Sequence, residues 1–129
     1  MLEITPEIKK DIRVWVDALR SGEYPQTKYS LQDKTGYCCL GVACEVLIPK
    51  ADQKRDLNGR LRGITISYVN QPRAPLWLIA INQKFKDTQG DYLSCLNDNG
   101  KFGGYPLSFL ELADVIEETY LTTEENKGE

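Results

Sequence analysis

Four cysteines, Cys38, Cys39, Cys44 and Cys95, are the side chains in this sequence best equipped for chemistry, and they stand in a chain with no histidine. Four thiolates would satisfy tetrahedral zinc, but structural zinc sites usually place paired cysteines two to four residues apart. Here two cysteines are adjacent, a third follows five residues later and the fourth lies far downstream. On a helix Cys38 and Cys39 would point about 100° apart, which makes a shared metal awkward; the expectation is no metal and no cofactor. A nucleophile is the second chemistry open to them. Cys38 or Cys39 at a helix N-terminus could have a lowered thiol pKa, partly replacing the base that histidine would supply. The third reading, buried thiols packed as small hydrophobes, needs no special spacing.

A second group is made of rings and guanidinium groups: Tyr24, Tyr29 and Tyr37 with Arg60, Arg62 and Arg73. Arginine forks match phosphate oxygens and aromatic faces stack on bases, so this set suits a nucleotide-like ligand. The same residue types also dominate protein interfaces. Asn97 and Asp98, within Asn97-Asp98-Asn99-Gly100, could add polar ligand contacts, although such a string is also an ordinary helix stop. The twelve-residue calcium loop closing on glutamate is missing, as are a Walker loop and a dinucleotide-binding glycine motif. Glu111, Asp114, Glu117 and Glu118 read as the solvated side of a helix.

The elements that must position these residues are partly legible. Thr5 can cap a helix that has Pro6 at its first position, and Ile8, Ile12, Trp15 and Leu19 form its apolar stripe before Ser21-Gly22,. Tyr24 to Tyr37, around Asp33-Lys34-Thr35-Gly36, fits a short hairpin or extended arm. Cys38 to Leu47 is nearly all small or apolar and is expected to be a buried helix closed before Pro49, with Gly41 permitting close approach of a neighbour,. Residues 50–60 read as a mobile loop. Arg60 to Val69 alternates like a strand, with Arg60 and Arg62 in phase with Ile64, Ile66 and Tyr68. Pro75 opens a short helix, Lys84 to Gly90 reads as a turn, and Asp91 can cap a further short helix. Ser108 and Glu111 form a capping box ahead of Phe109, Leu112, Ala113, Ile116 and Tyr120,. These elements predict an α+β fold, helices on a small, mainly antiparallel sheet. The expected organisation is one globular domain over 1–121 with a flexible acidic tail at 122–129.

Composition narrows the partners. With 129 residues, 41% of them hydrophobic, the chain can bury roughly two-thirds of its extended surface. The net charge of −3 conceals a basic middle and an acidic end. Residues 50–73 hold six Lys/Arg against two acids, and 108–129 hold one against seven. Sequence-independent nucleic-acid binding needs an extensive basic face, which this distribution argues against. No apolar run approaches the ~18 residues that cross a bilayer, and the N-terminal residues lack the pattern of a secretory signal. The expectations are a cytoplasmic location, reduced thiols and no membrane partner. Homo-oligomerisation stays open.

Four segments carry a resemblance: Ala18-Leu19-Arg20-Ser21-Gly22-Glu23-Tyr24-Pro25-Gln26, Gly36-Tyr37-Cys38-Cys39-Leu40-Gly41-Val42-Ala43-Cys44-Glu45, Leu96-Asn97-Asp98-Asn99-Gly100, and Ser108-Phe109 through Ala113-Asp114-Val115-Ile116-Glu117. In order along most of the chain, they look like a family of small proteins encoded by tailed bacteriophages and prophages, with Tyr-Cys-Cys-Leu-Gly-Val the most distinctive string. The resemblance implies an accessory protein at work in the cytoplasm of a bacterial host, and it carries no catalytic residue across. The function expected is a non-catalytic protein that binds and inhibits or sequesters a host component, foremost in an antiviral defence system. Its target would be a host protein or a nucleotide-derived signal. The alternatives are a small cysteine-dependent enzyme and a minor virion or assembly component.

Overall fold

The computed structural model describes residues 3–28, 30–61, 64–65, 68–69, 71, 73–89, 92–98 and 106–122. Helix α1, Pro6–Arg20, starts where the Thr5 hydroxyl accepts the Ile8 amide at 3.2 Å and buries Ile12, Trp15, Val16 and Leu19. These residues repeat at three- and four-residue intervals, so one apolar stripe faces inward and the opposite face is charged.

Strands β1, Gln32–Asp33, and β2, Gly36–Tyr37, form the expected hairpin, with Gln32 opposite Tyr37 and Asp33 opposite Gly36. The Asp33 carboxylate fixes its turn by accepting the Thr35 amide at 2.8 Å, the Thr35 hydroxyl at 2.6 Å and the Thr27 hydroxyl at 2.7 Å.

Helix α2, Cys39–Leu47, follows and is wholly buried through Cys44. Gly41 allows this. A Cβ built there would lie 1.8 Å from the Leu31 carbonyl oxygen, so only glycine lets the chain before the hairpin cross the helix so closely. The Trp15 indole donates to the Cys39 carbonyl at 2.9 Å and ties α1 to the start of α2.

Three expectations are corrected along the next stretch. Residues 50–60 contain a 3-10 turn, Lys50–Asp52, and a bridge between Arg55 and Leu61 that closes around Gly59 in a left-handed conformation. The supposed strand over 60–69 is instead two short strands, β3 Ile64–Thr65 and β4 Tyr68–Val69, paired antiparallel with each other. Because the chain reverses between them, one alternating face cannot run from Arg60 to Val69. Helix α3, Leu76–Gln89, takes in residues 84–89 of the predicted turn at 84–90. Phe85 explains the extension: it continues the buried stripe of Leu78 and Ile81 by one more turn, and that burial outweighs the polar Asn82-Gln83-Lys84 run.

Helix α4, Leu93–Asp98, is joined to α3 by the Asn82 side chain, which accepts the Ser94 amide at 2.8 Å. The expected cap at Asp91 lies outside the described residues, as do Ile66 and 123–129 of the expected tail. Helix α5, Phe109–Glu117, has the complete Ser108/Glu111 capping box and runs into a π-helical turn, Glu118–Thr122.

One core, spanning all five helices with Leu31 and Leu61, holds the molecule together. The fold is α+β, with the helices packed chiefly on one another: α1 lies against α5 and α2, and the two ribbons sit at the sides of α2 and α3. Among the described residues, no helix is long and apolar enough to cross a membrane.

Candidate functional site

Where α1 stops, the chain turns out and brings Tyr24 back against Tyr37 of β2. The rings meet edge to face, with centroids 5.4 Å apart and planes at 84°, the arrangement that the ring quadrupoles favour. Both are half-buried. The Tyr37 hydroxyl donates to the Glu45 carboxylate of α2 at 3.2 Å, and the Arg55 guanidinium reaches the same oxygen at 2.8 Å. Arg55 is held from every side. It donates to the side chain of Gln53, to Gln32 at 3.2 Å and to the Gly59 carbonyl at 2.7 Å. Gln53 also caps α2, its amide reaching the Ile48 carbonyl at 2.8 Å. The orphan carbonyls of a helix end are thereby satisfied by a side chain instead of water.

Burial pushes both phenols above their ordinary pKa. For Tyr37 the neighbouring Glu45 adds to the rise; for Tyr24, Glu23 and Glu45 do. The pair is therefore a neutral aromatic surface underlaid by a neutralised ion pair. It can pack and donate hydrogen bonds, but Arg55 has its charge matched by Glu45 and its donors committed.

This differs from the sequence expectation in its arginine. The guanidinium at the Tyr24–Tyr37 pair belongs to Arg55, which the reading of 50–60 as a mobile loop passed over. Arg60 lies on the turn that its own amide helps to close on Asp56, and Arg73 is exposed ahead of α3. Tyr29 and Arg62 lie outside the described residues. The signal that could have found Arg55 is Asn58-Gly59, a turn pair that predicts a tight reversal and a partner for Leu61.

Asn97 and Asp98 are brought inside. Asn97 is fully buried, and its oxygen accepts the Cys39 amide at 3.2 Å and the Gln26 amide at 2.9 Å. Its nitrogen donates to the Thr27 carbonyl at 2.9 Å and to Asp98 at 2.8 Å. Both acceptor positions and both donors are thus used within the chain, so Asn97 is a structural junction instead of a ligand contact. Gln26 extends it, donating to the Leu107 carbonyl at 2.8 Å and accepting the Phe109 amide at 3.1 Å.

Of the three readings open to the cysteines, the structure supports buried packing. Cys38 is the N-cap of α2, its sulfur accepting the Gly41 amide at 3.3 Å, which is the position where a thiol pKa should fall. Burial overrides the helix terminus: the Cys38 and Cys44 thiols are pushed up to about 12, and burial raises Cys39 well above its ordinary value. All four cysteines are buried and outside any disulfide, and Cys38, Cys39 and Cys44, as neutral thiols, are poor nucleophiles,.

Residues 4–120 match the family described as a domain of unknown function, DUF8296, and the chain belongs to that family. No match was found among curated proteins or solved structures.

Proposed function

We propose that this chain is a non-catalytic binding protein that acts in a bacterial host during phage infection by occupying a host protein, foremost one of an antiviral defence system. The phage setting rests on the sequence resemblance. The binding reading rests on one observation: the half-exposed Tyr24–Tyr37 pair is fixed in advance by Glu45, Arg55, Gln53 and Gln32. Rigid aromatic side chains lose little entropy on association and make effective interface anchors. Of the two targets open from sequence, a protein fits this pair better than a nucleotide-derived signal. A phosphate needs an uncommitted cation, and the Arg55 guanidinium beside the rings is already neutralised by Glu45 at 2.8 Å,.

The test is affinity capture from infected host cells with the wild-type chain, Tyr24→Ala and Tyr24→Phe, combined with native mass spectrometry. A specific host protein should be retained by wild type and the Phe variant and lost with the Ala variant, while all three keep the native circular dichroism spectrum and the Ala variant, having lost the ring packed on Tyr37, melts somewhat lower,. A retained nucleotide, with protein capture indifferent to Tyr24, would refute the reading.

A further inference from the structure

Residues 55–61 form a small hairpin whose tip and base are both fixed. The Gly59 amide donates to the Asp56 carbonyl at 2.9 Å, and the Asp56 carboxylate accepts the Asn58 amide at 2.8 Å and the Arg60 amide at 3.2 Å. At the base, the Gln32 side chain accepts the Leu61 amide at 2.8 Å. The Gln71 side chain brackets Lys54, accepting its amide at 2.7 Å and donating to its carbonyl at 2.6 Å. Arg55 and Leu61 pair across the ribbon and turn inward, Leu61 into the core and Arg55 onto Glu45. Side chains alternate along a strand, so Lys54 and Arg60 stand on the outer side. Arg73 joins them, exposed on the turn that the Ala74 amide closes on the Gln71 carbonyl at 3.0 Å. At the apex, Leu57 is fully exposed. A solitary surface leucine is ordinary, but this one occupies a fixed turn, where Gly, Pro, Asn, Asp and Ser dominate, and it stands among cations. Among the described residues, no ion pair engages Lys54, Arg60 or Arg73. The acids of residues 50–73 are Asp52 and Asp56, two against six Lys/Arg.

We infer that this hairpin is a second anchor on the host-protein partner, with Leu57 entering an apolar pocket rimmed by carboxylates. The inference rests on the reading of the chain as a protein binder and adds the partner's chemistry: apolar at the centre, acidic around it. Because the turn is already ordered, little of the gain from burying Leu57 is spent on fixing it. The cations act at longer range, by steering an acidic surface toward the hairpin. Other polyanions fit less well. A nucleic-acid backbone offers no pocket for a leucine, and the acidic end of the chain, seven acids against one Lys/Arg over 108–129, repels it,. A bilayer would accept Leu57, but stable anchoring takes far more apolar insertion than one side chain supplies.

The test measures affinity of the full chain for the host protein that wild type retains, once purified, with a short DNA duplex and phosphatidylserine vesicles as the other probes. Leu57→Ser should weaken binding at least about tenfold, and Leu57→Met should change it little. The double reversal Lys54→Glu/Arg73→Glu should cost about tenfold at low salt and progressively less as salt rises. These variants should keep the wild-type circular dichroism and melting temperature, because the altered side chains are exposed. In the complex, the amides of 54–61 should gain protection from hydrogen exchange. Binding that is indifferent to Leu57→Ser or to the charge reversal, or that leaves 54–61 unprotected, overturns the inference. If Tyr24→Ala still abolishes that binding, the protein-binding reading stands without the hairpin. Capture of no host protein by wild type overturns both. Affinity for the duplex or the vesicles that matches affinity for the host protein would assign the cations to phosphate, and the inference would fall.

Discussion

Replacing Gly41 with alanine tests the packing argument sharply, because secondary-structure propensity and tertiary packing predict opposite signs. In an exposed helix interior, glycine to alanine stabilises by about 1 kcal/mol. Here the new methyl would lie 1.8 Å from the Leu31 carbonyl oxygen and 2.7 Å from its carbon. Backbone would have to withdraw by more than an ångström. The same carbonyl accepts the Cys38 amide at 3.2 Å, and Leu31 is fully buried. Withdrawal therefore orphans a buried donor, at about 1–3 kcal/mol, and loosens a packed leucine, at a further 1–3 kcal/mol for an overfilled core. The net expectation is a loss of roughly 1–5 kcal/mol after the propensity gain. Urea unfolding followed by circular dichroism should show a lower midpoint with an unchanged slope. A variant as stable as wild type, or more stable, would refute the close crossing of Leu31 over α2.

Two further outcomes follow from the buried thiols and from the Asp33 turn. A thiol reagent should label Cys38, Cys39 and Cys44 of the native chain only as fast as the protein opens, and label all of them at once in denaturant; rapid native labelling at Cys38 or Cys39 would revive the nucleophile. Asp33, held down to about 2 mainly by the Thr35 hydroxyl with help from Thr27, is a depressed acid. Its contribution is complete above its ordinary value near 3.8 and is lost as pH falls through about 2. The stability gap between wild type and Asp33→Asn should therefore be constant near neutrality and close between about pH 4 and pH 2; a gap that persists at pH 2 would show that the turn does not depend on the carboxylate charge.

What could be read from the sequence was whatever is encoded locally. Thr5, Pro6, Ser108 and Glu111 announced two helix starts because capping is settled within four residues, and Gly41 announced a close approach because few other reasons put glycine in a buried helix. The Asp33 turn was likewise written in adjacent residues. The errors arose where a distant partner decides. Lys84 to Gln89 is helical because Phe85 finds the core, and 50–60 is ordered because Arg55 meets Gln32 and Glu45, neither of which its neighbours reveal. Asn97 was legible as part of a helix stop, and α4 does end at Asp98; the ligand contact was the error, since nothing local shows that Thr27 and Cys39 will surround it. The buried packing of the thiols was legible in the apolar texture of Cys38 to Leu47, whereas the nucleophile stayed open as an alternative because a helix N-terminus is visible in sequence and the depth at which it is buried is not.

The Gln26–Asn97 junction bears on how the chain can be made. Its bonds join residues separated by 70 to 83 positions, and closing loops of that length costs roughly 4 kcal/mol before any contact is gained. The Phe109 amide completes the Gln26 contacts, so this part of the fold cannot be finished while ribosomal synthesis is short of that point. At about 5–20 residues per second, the emerging chain carries the bare apolar stripe of α1 and the whole of α2 for several seconds. During that interval the run Cys38 to Cys44, later fully buried, is a bare adhesive surface. Yield in a host cell should depend more on chaperone supply in those seconds than on the stability of the finished protein.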